Sequence, residues 1–74
     1  MAGAQDEQEE FQRQFVAALE TSRTISTAVG LLMAERRVSR SAAFDALRSQ
    51  SQHTNVKVSA VAADLVSQFE RRCP

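Results

Sequence analysis

The chain is 74 residues long, 43% hydrophobic and formally neutral at pH 7, with one cysteine and one histidine. That length allows one small domain with a modest core, for which oligomerisation often supplies the missing burial, and a lone cysteine excludes an internal disulfide. The apolar share rests on Ala, Val and Leu, with no Trp or Tyr and four Phe, which suits a helical bundle better than a sheet.

Neutrality conceals a division of charge. Residues 1–12 hold Asp6, Glu7, Glu9 and Glu10 and no cation, whereas residues 13–74 hold nine Lys and Arg against five acids, so −4 precedes +4. A basic body behind an acidic lead-in fits a polyanionic partner and an ordinary solvated surface equally well. No apolar run approaches the ~20 residues of a membrane span. The N-terminus also lacks the basic-then-apolar order of a secretory signal, so a cytoplasmic location is expected.

Met1 to Gln5 reads as a flexible end. From Asp6 no helix breaker intervenes until Arg36 to Ser39, and the acids of the first turn suit the positive end of a helix dipole. Phe11, Phe15, Ala18, Ser22, Ile25, Val29 and Leu32 follow at gaps of four and three, the rhythm of a coiled-coil seam. From Phe11 to Leu32 a helix extends about 32 Å, more than a bundle built from the remaining residues is wide. The first half is therefore expected to project and pair through Phe11, Phe15, Ala18 and Ser22, giving a homodimer; a single amphipathic helix lying along its own domain is the alternative. Gly30 interrupts a helical run at a cost of about 1 kcal/mol relative to Ala, and close packing is the expected reason.

Ser39 is placed to cap a second helix over Arg40 to His53, with Ala43, Phe44, Leu47 and Ser51 as its inward face. A link over Thr54 to Val58 has Asn55 as its turn residue, and Ser59 is expected to cap a third helix that runs to about Arg71. The stripe Val61, Ala62, Leu65, Val66 and Phe69 is its buried side, and Arg71 and Arg72 suit its negative end. The expected fold class is all-α, a three-helix bundle with a long N-terminal helix extending into a coiled coil. Its parts are a flexible end (1–5), a pairing segment (6–21), the bundle (22–72) and a tail (73–74).

Catalysis finds no support. His53 has no acid or nucleophile at motif spacing, Cys73 has no activating neighbour in the sequence, and no phosphate loop, carboxylate pair or metal motif is present. No enzyme activity, metal or cofactor is expected. Binding has better material. Arg36, Arg37 and Arg40 gather at the first interhelical turn, and Arg48, Gln50, Gln52, His53, Thr54, Asn55 and Lys57 gather near the second. Cations hold phosphates, while amides and hydroxyls read base edges and sugars.

One pattern ties these pieces together. Ser22, Arg23, Ile25, Ala28, Gly30, Leu32 and Met33 are followed by Ala43, Phe44, Leu47 and Arg48, then by Asn55, Lys57, Val58, Val61 and Ala62. In order and spacing this resembles the ANTAR domain, the RNA-binding output module of bacterial transcription antitermination regulators, over about two-thirds of the chain, Leu19 to Val66. The family commonly has Gly where Arg37 stands and acids at Ala42 and Ala60, so the shape of the first turn and the start of two helices depart from its pattern.

The resemblance implies a three-helix bundle on a pairing helix that holds two neighbouring hairpins of nascent mRNA, so that an overlapping terminator does not form. Two copies on one dimer gain avidity through effective concentration. It places Arg48, Ser51, Asn55 and Lys57 against loop bases or backbone, with Arg23, Arg36, Arg37 and Arg40 as electrostatic support. Related regulators carry a sensor or receiver module, for which this chain has no room; it is either an excised output domain or a stand-alone subunit. Two rivals remain: a DNA-binding helical module, disfavoured by a second helix with only Arg40 and Arg48 as cations, and a dimerisation module that docks a sensor without touching nucleic acid.

Overall fold

The computed structural model describes residues 2–73, with side chains from residue 7 onward. The described residues form three helices: α1 (Ala2–Arg36), α2 (Arg40–Thr54) and α3 (Val58–Arg72). The expected all-α bundle with a long first helix is what forms. At 35 residues, α1 is about 52 Å long and sets the 54 Å longest dimension of the molecule. Its C-terminal half packs against both α2 and α3.

The core is small and made largely of small residues. Ala28, Val29 and Leu32 of α1 meet Ala43 and Leu47 of α2 and Ala62 of α3, with Ile25, Val38, Ala46, Val58, Val61, Leu65 and Val66 half-buried around them. Three alanines among six buried side chains let the helix backbones approach closely, and the leucines provide most of the volume. Burying one such leucine contributes about 1.5–3 kcal/mol. The heptad stripe of α1 thus changes role along its length: Val29 and Leu32 are buried in the bundle, whereas Phe11 and Phe15 remain 69% and 57% exposed.

Both interhelical turns rely on left-handed backbone. Arg37, directly after α1, has φ 52°, and Asn55, directly after α2, has φ 57°. Asn is among the few residues other than Gly that adopt this conformation readily, so Asn55 is the turn residue expected. Arg37 stands where a side chain makes the conformation costly. Ser39 caps α2 as expected, its side-chain oxygen accepting the Ala42 amide at 3.1 Å.

Four expectations are corrected. The first helix begins at Ala2 rather than Asp6, so its first turn contains no acid. The cap of α3 is Lys57 rather than Ser59; it offers no side-chain hydrogen bond, and its carbonyl oxygen accepts the amides of Ala60 and Val61, both at 3.0 Å. Phe44 does not enter the core and is 38% exposed, because Ala43 and Leu47 already fill the contact with α1 and α3. Gly30 is not a packing contact within the chain: it is exposed, and a Cβ added to it would meet nothing within 4 Å.

Candidate nucleic-acid interface

The polar residues singled out from the sequence fall into two groups, at opposite ends of α2. At fourteen residues' rise, Arg40 and Thr54 stand about 21 Å apart. At the near end Arg36 closes α1, Arg37 occupies the turn and Arg40 opens α2, all exposed. Among the described residues none of the three forms an ion pair. Arg40 sits at the positive end of a helix dipole, where a cation is locally unfavourable and adds to a positive field. Lys57 does the same at the start of α3. Two cations therefore stand where helix stability alone favours an acid or a hydroxyl, and both positions favour an approaching anion.

At the far end the turn between α2 and α3 is built by Ser51. Its carbonyl oxygen accepts the amides of Asn55 and Val56, the latter at 3.2 Å, while its hydroxyl donates to the Val56 carbonyl. That proton is engaged within the chain, and Ser51 offers other groups only oxygen lone pairs. Thr54 is similar, its hydroxyl donating to the Gln50 carbonyl at 2.8 Å. Asn55 and Lys57 are exposed on either side of Val56, itself 42% exposed. Arg48 lies about two turns before Asn55, held loosely by Asp45 at 3.9 Å with both side chains largely exposed, an arrangement that an incoming phosphate can displace.

A groove where all three helices meet links part of these two groups. Arg36 of α1, Gln50 and Thr54 of α2, Val56 of the turn and Ala60, Asp64 and Gln68 of α3 line it over an apolar base of Leu32, Leu47 and Leu65. It brings Arg36 together with the amide and hydroxyl groups near the second turn, but not with Arg37 or Arg40. Arg23 lies apart from both groups, exposed on α1, its carbonyl accepting the Thr27 hydroxyl at 2.8 Å. Asp64 and Gln68 carry no binding motif in the sequence; their spacing of four with Ala60, beside the apolar stripe of α3, is the signal that marks the three as one wall. Asp64 accepts from the Gln68 amide at 2.9 Å. With one cation and one acid, this groove offers hydrogen-bonding groups more than a net field.

No cluster of His, Cys, Asp or Glu able to hold a metal occurs among the described residues, and none of their helices is long and apolar enough to cross a membrane. Fold and surface together define a small helical module with cations and amides grouped at its turns. The ANTAR domain model matches residues 13–66, most of the chain, and the chain belongs to the ANTAR domain family, whose members are regulatory RNA-binding domains. No curated protein and no solved structure matches it.

Proposed function

We infer that the chain is the RNA-binding output domain of a transcription antitermination regulator, stabilising paired hairpins in nascent mRNA so that a terminator cannot form. The observation that carries this reading is family membership over residues 13–66, which takes in both turns and all of the groove but Gln68. The mechanism needs no covalent chemistry. A surface that binds one RNA fold better than its competitor shifts the folding equilibrium by that difference in affinity. Arg48, Asn55 and Lys57 are assigned to the loop bases and their phosphates. Ser51 holds the turn that presents them and accepts hydrogen bonds, and Arg23, Arg36, Arg37 and Arg40 supply long-range attraction. Pairing of α1 through Phe11, Phe15, Ala18 and Ser22 gives a dimer able to hold two hairpins at once. The projecting end of α1 is also where a separate or fused sensor or receiver would connect.

Single-round transcription through a template encoding two hairpins upstream of a terminator tests this. Read-through that rises with added protein, and is lost when the hairpin loops are scrambled, is the expected result. Unchanged termination would overturn the antitermination reading.

The exposure of Phe11 and Phe15 favours one second reading, a dimerisation or sensor-docking module that binds no nucleic acid. Removing residues 1–18 separates the two. A docking module loses its partner altogether, whereas the RNA-binding domain keeps weakened binding to a single hairpin.

A further inference from the structure

A second groove involves no residue of α3. Its floor is α1 at Ile25, Ser26, Val29 and Gly30, and its side is formed by Met33 and Phe44, 36% and 38% exposed. A Cβ added to Gly30 would meet nothing within 4 Å, so nothing within the chain fills the space above it. The groove has a volume of about 960 Å³, at the upper end of the range for small-molecule sites. Twelve residues line it, fewer than the roughly 20–30 that one side of a stable protein interface takes. Its size suits a small molecule better than a second protein. The polar groups of the lining set that molecule's charge. Arg40 is the one charged residue there among the described residues, and it forms no ion pair among them. The hydroxyls of Ser26 and Ser41, also in the lining, make no hydrogen bond among the described residues, whereas Thr24 and Thr27 of the same helix turn theirs back onto the Glu20 and Arg23 carbonyls.

We propose that this groove binds an amphipathic organic anion, a medium-chain carboxylate. Its carboxylate meets the Arg40 guanidinium and the Ser41 hydroxyl, and its tail lies along α1 over Gly30, between Met33 and Phe44. Only three residues separate α1 from Arg40, so the cation stands at the C-terminal end of the α1 floor and the tail runs back from it. From Met33 to Ile25 that floor is about 12 Å long, which leaves Ala18 and Ser22 to the pairing face. The missing side chain at Gly30 lets the tail reach the helix backbone. With no acid in the lining, nothing there repels an anion, whereas a cationic amphiphile of the same length meets only Arg40. The seat does not depend on RNA binding, and no RNA enters its test.

Met33 is one of two methionines in the chain, so an isotope-labelled methionine methyl reports from the groove wall by nuclear magnetic resonance. Decanoate and decyltrimethylammonium, tails of one length with opposite charge, are titrated into the full chain below the concentrations at which they form micelles. A saturable shift of the Met33 signal with decanoate, at least about tenfold tighter than with the cation, is the expected result. Octanoate should bind about fourfold more weakly than decanoate, half the full transfer effect of two methylenes because the groove is open on one side. Arg40→Gln is expected to weaken decanoate about tenfold and to leave the cation unaffected. Gly30→Leu, which fills the floor from an exposed site, is expected to weaken decanoate at least about tenfold with helicity unchanged. No saturable shift with decanoate in the unaltered chain, or equal affinity for the two charges, would overturn the site. Decanoate binding unaffected by Gly30→Leu would overturn the groove as its seat.

Discussion

The Ser51 hydroxyl donates to the Val56 carbonyl while the Ser51 carbonyl accepts the Val56 amide at 3.2 Å, so one residue at the end of α2 ties down both polar groups of the residue that leads into α3. This pairing holds Asn55 in its left-handed conformation and sets the exposed positions of Asn55 and Lys57. Removing the hydroxyl in Ser51→Ala leaves the Val56 carbonyl short of a partner at a cost of about 1 kcal/mol. A fall of roughly 4–8 °C in melting temperature, followed by circular dichroism, is expected for a domain of this size. RNA affinity should fall less than in Lys57→Ala, because Ser51 acts through the turn.

Arg37 is the position where backbone and function pull apart. Arg37→Gly relieves a left-handed conformation that costs a side-chain-bearing residue about 1–2 kcal/mol, part of which glycine's freedom in the unfolded chain cancels. A net gain of about 1 kcal/mol in urea unfolding is expected, together with weaker RNA binding. Unchanged RNA affinity across salt concentrations would show that the guanidinium has no part in binding.

Lys57 presents the same opposition at a helix start. Lys57→Ser provides the side-chain acceptor that α3 lacks and removes a cation from the positive end of its dipole, for a gain of about 1 kcal/mol. The loss of one phosphate contact lowers the salt dependence of RNA binding by about one unit of log–log slope. A stability gain with an unchanged salt slope would take Lys57 out of the interface.

Much of this architecture was legible in the sequence because it depends on local chemistry. The Ser39 cap, the Asn55 turn, the apolar stripe of α3 and the change to a second helix at Arg40 are set by residues within a few positions of one another. What escaped depends on neighbours distant in sequence. Whether Phe44 or Leu47 enters the core is decided by the space that Ala28 and Ala62 leave, and Gly30 has the look of a packing residue until the position of α2 shows open space above it. Ser59 is as good a cap by composition as Ser39, but the path of the chain out of Asn55 starts α3 two residues sooner. The site was legible as two polar clusters; that Arg36 shares a groove with Gln50, Thr54 and the Ala60–Asp64–Gln68 wall required the crossing of three helices.

Leu47 is the most consequential single side chain in the core. It is 3% exposed and, with Leu32, one of the two leucines buried among the described residues, in a domain too small to have stability to spare. Leu47→Ala is expected to cost about 2–5 kcal/mol, against a total of roughly 4–11 kcal/mol for a chain of this length. Loss of a cooperative thermal transition, or one shifted down by more than about 10 °C, checks it.

Fluorescence anisotropy with a labelled twin-hairpin RNA decides whether this chain recognises folded RNA. Single-hairpin, loop-scrambled and duplex DNA controls are run alongside at two salt concentrations. Preferential binding to the twin hairpin, weakened by salt and by scrambling of the loops, is the predicted result. Equal affinity for all four ligands, or none for any, would contradict it.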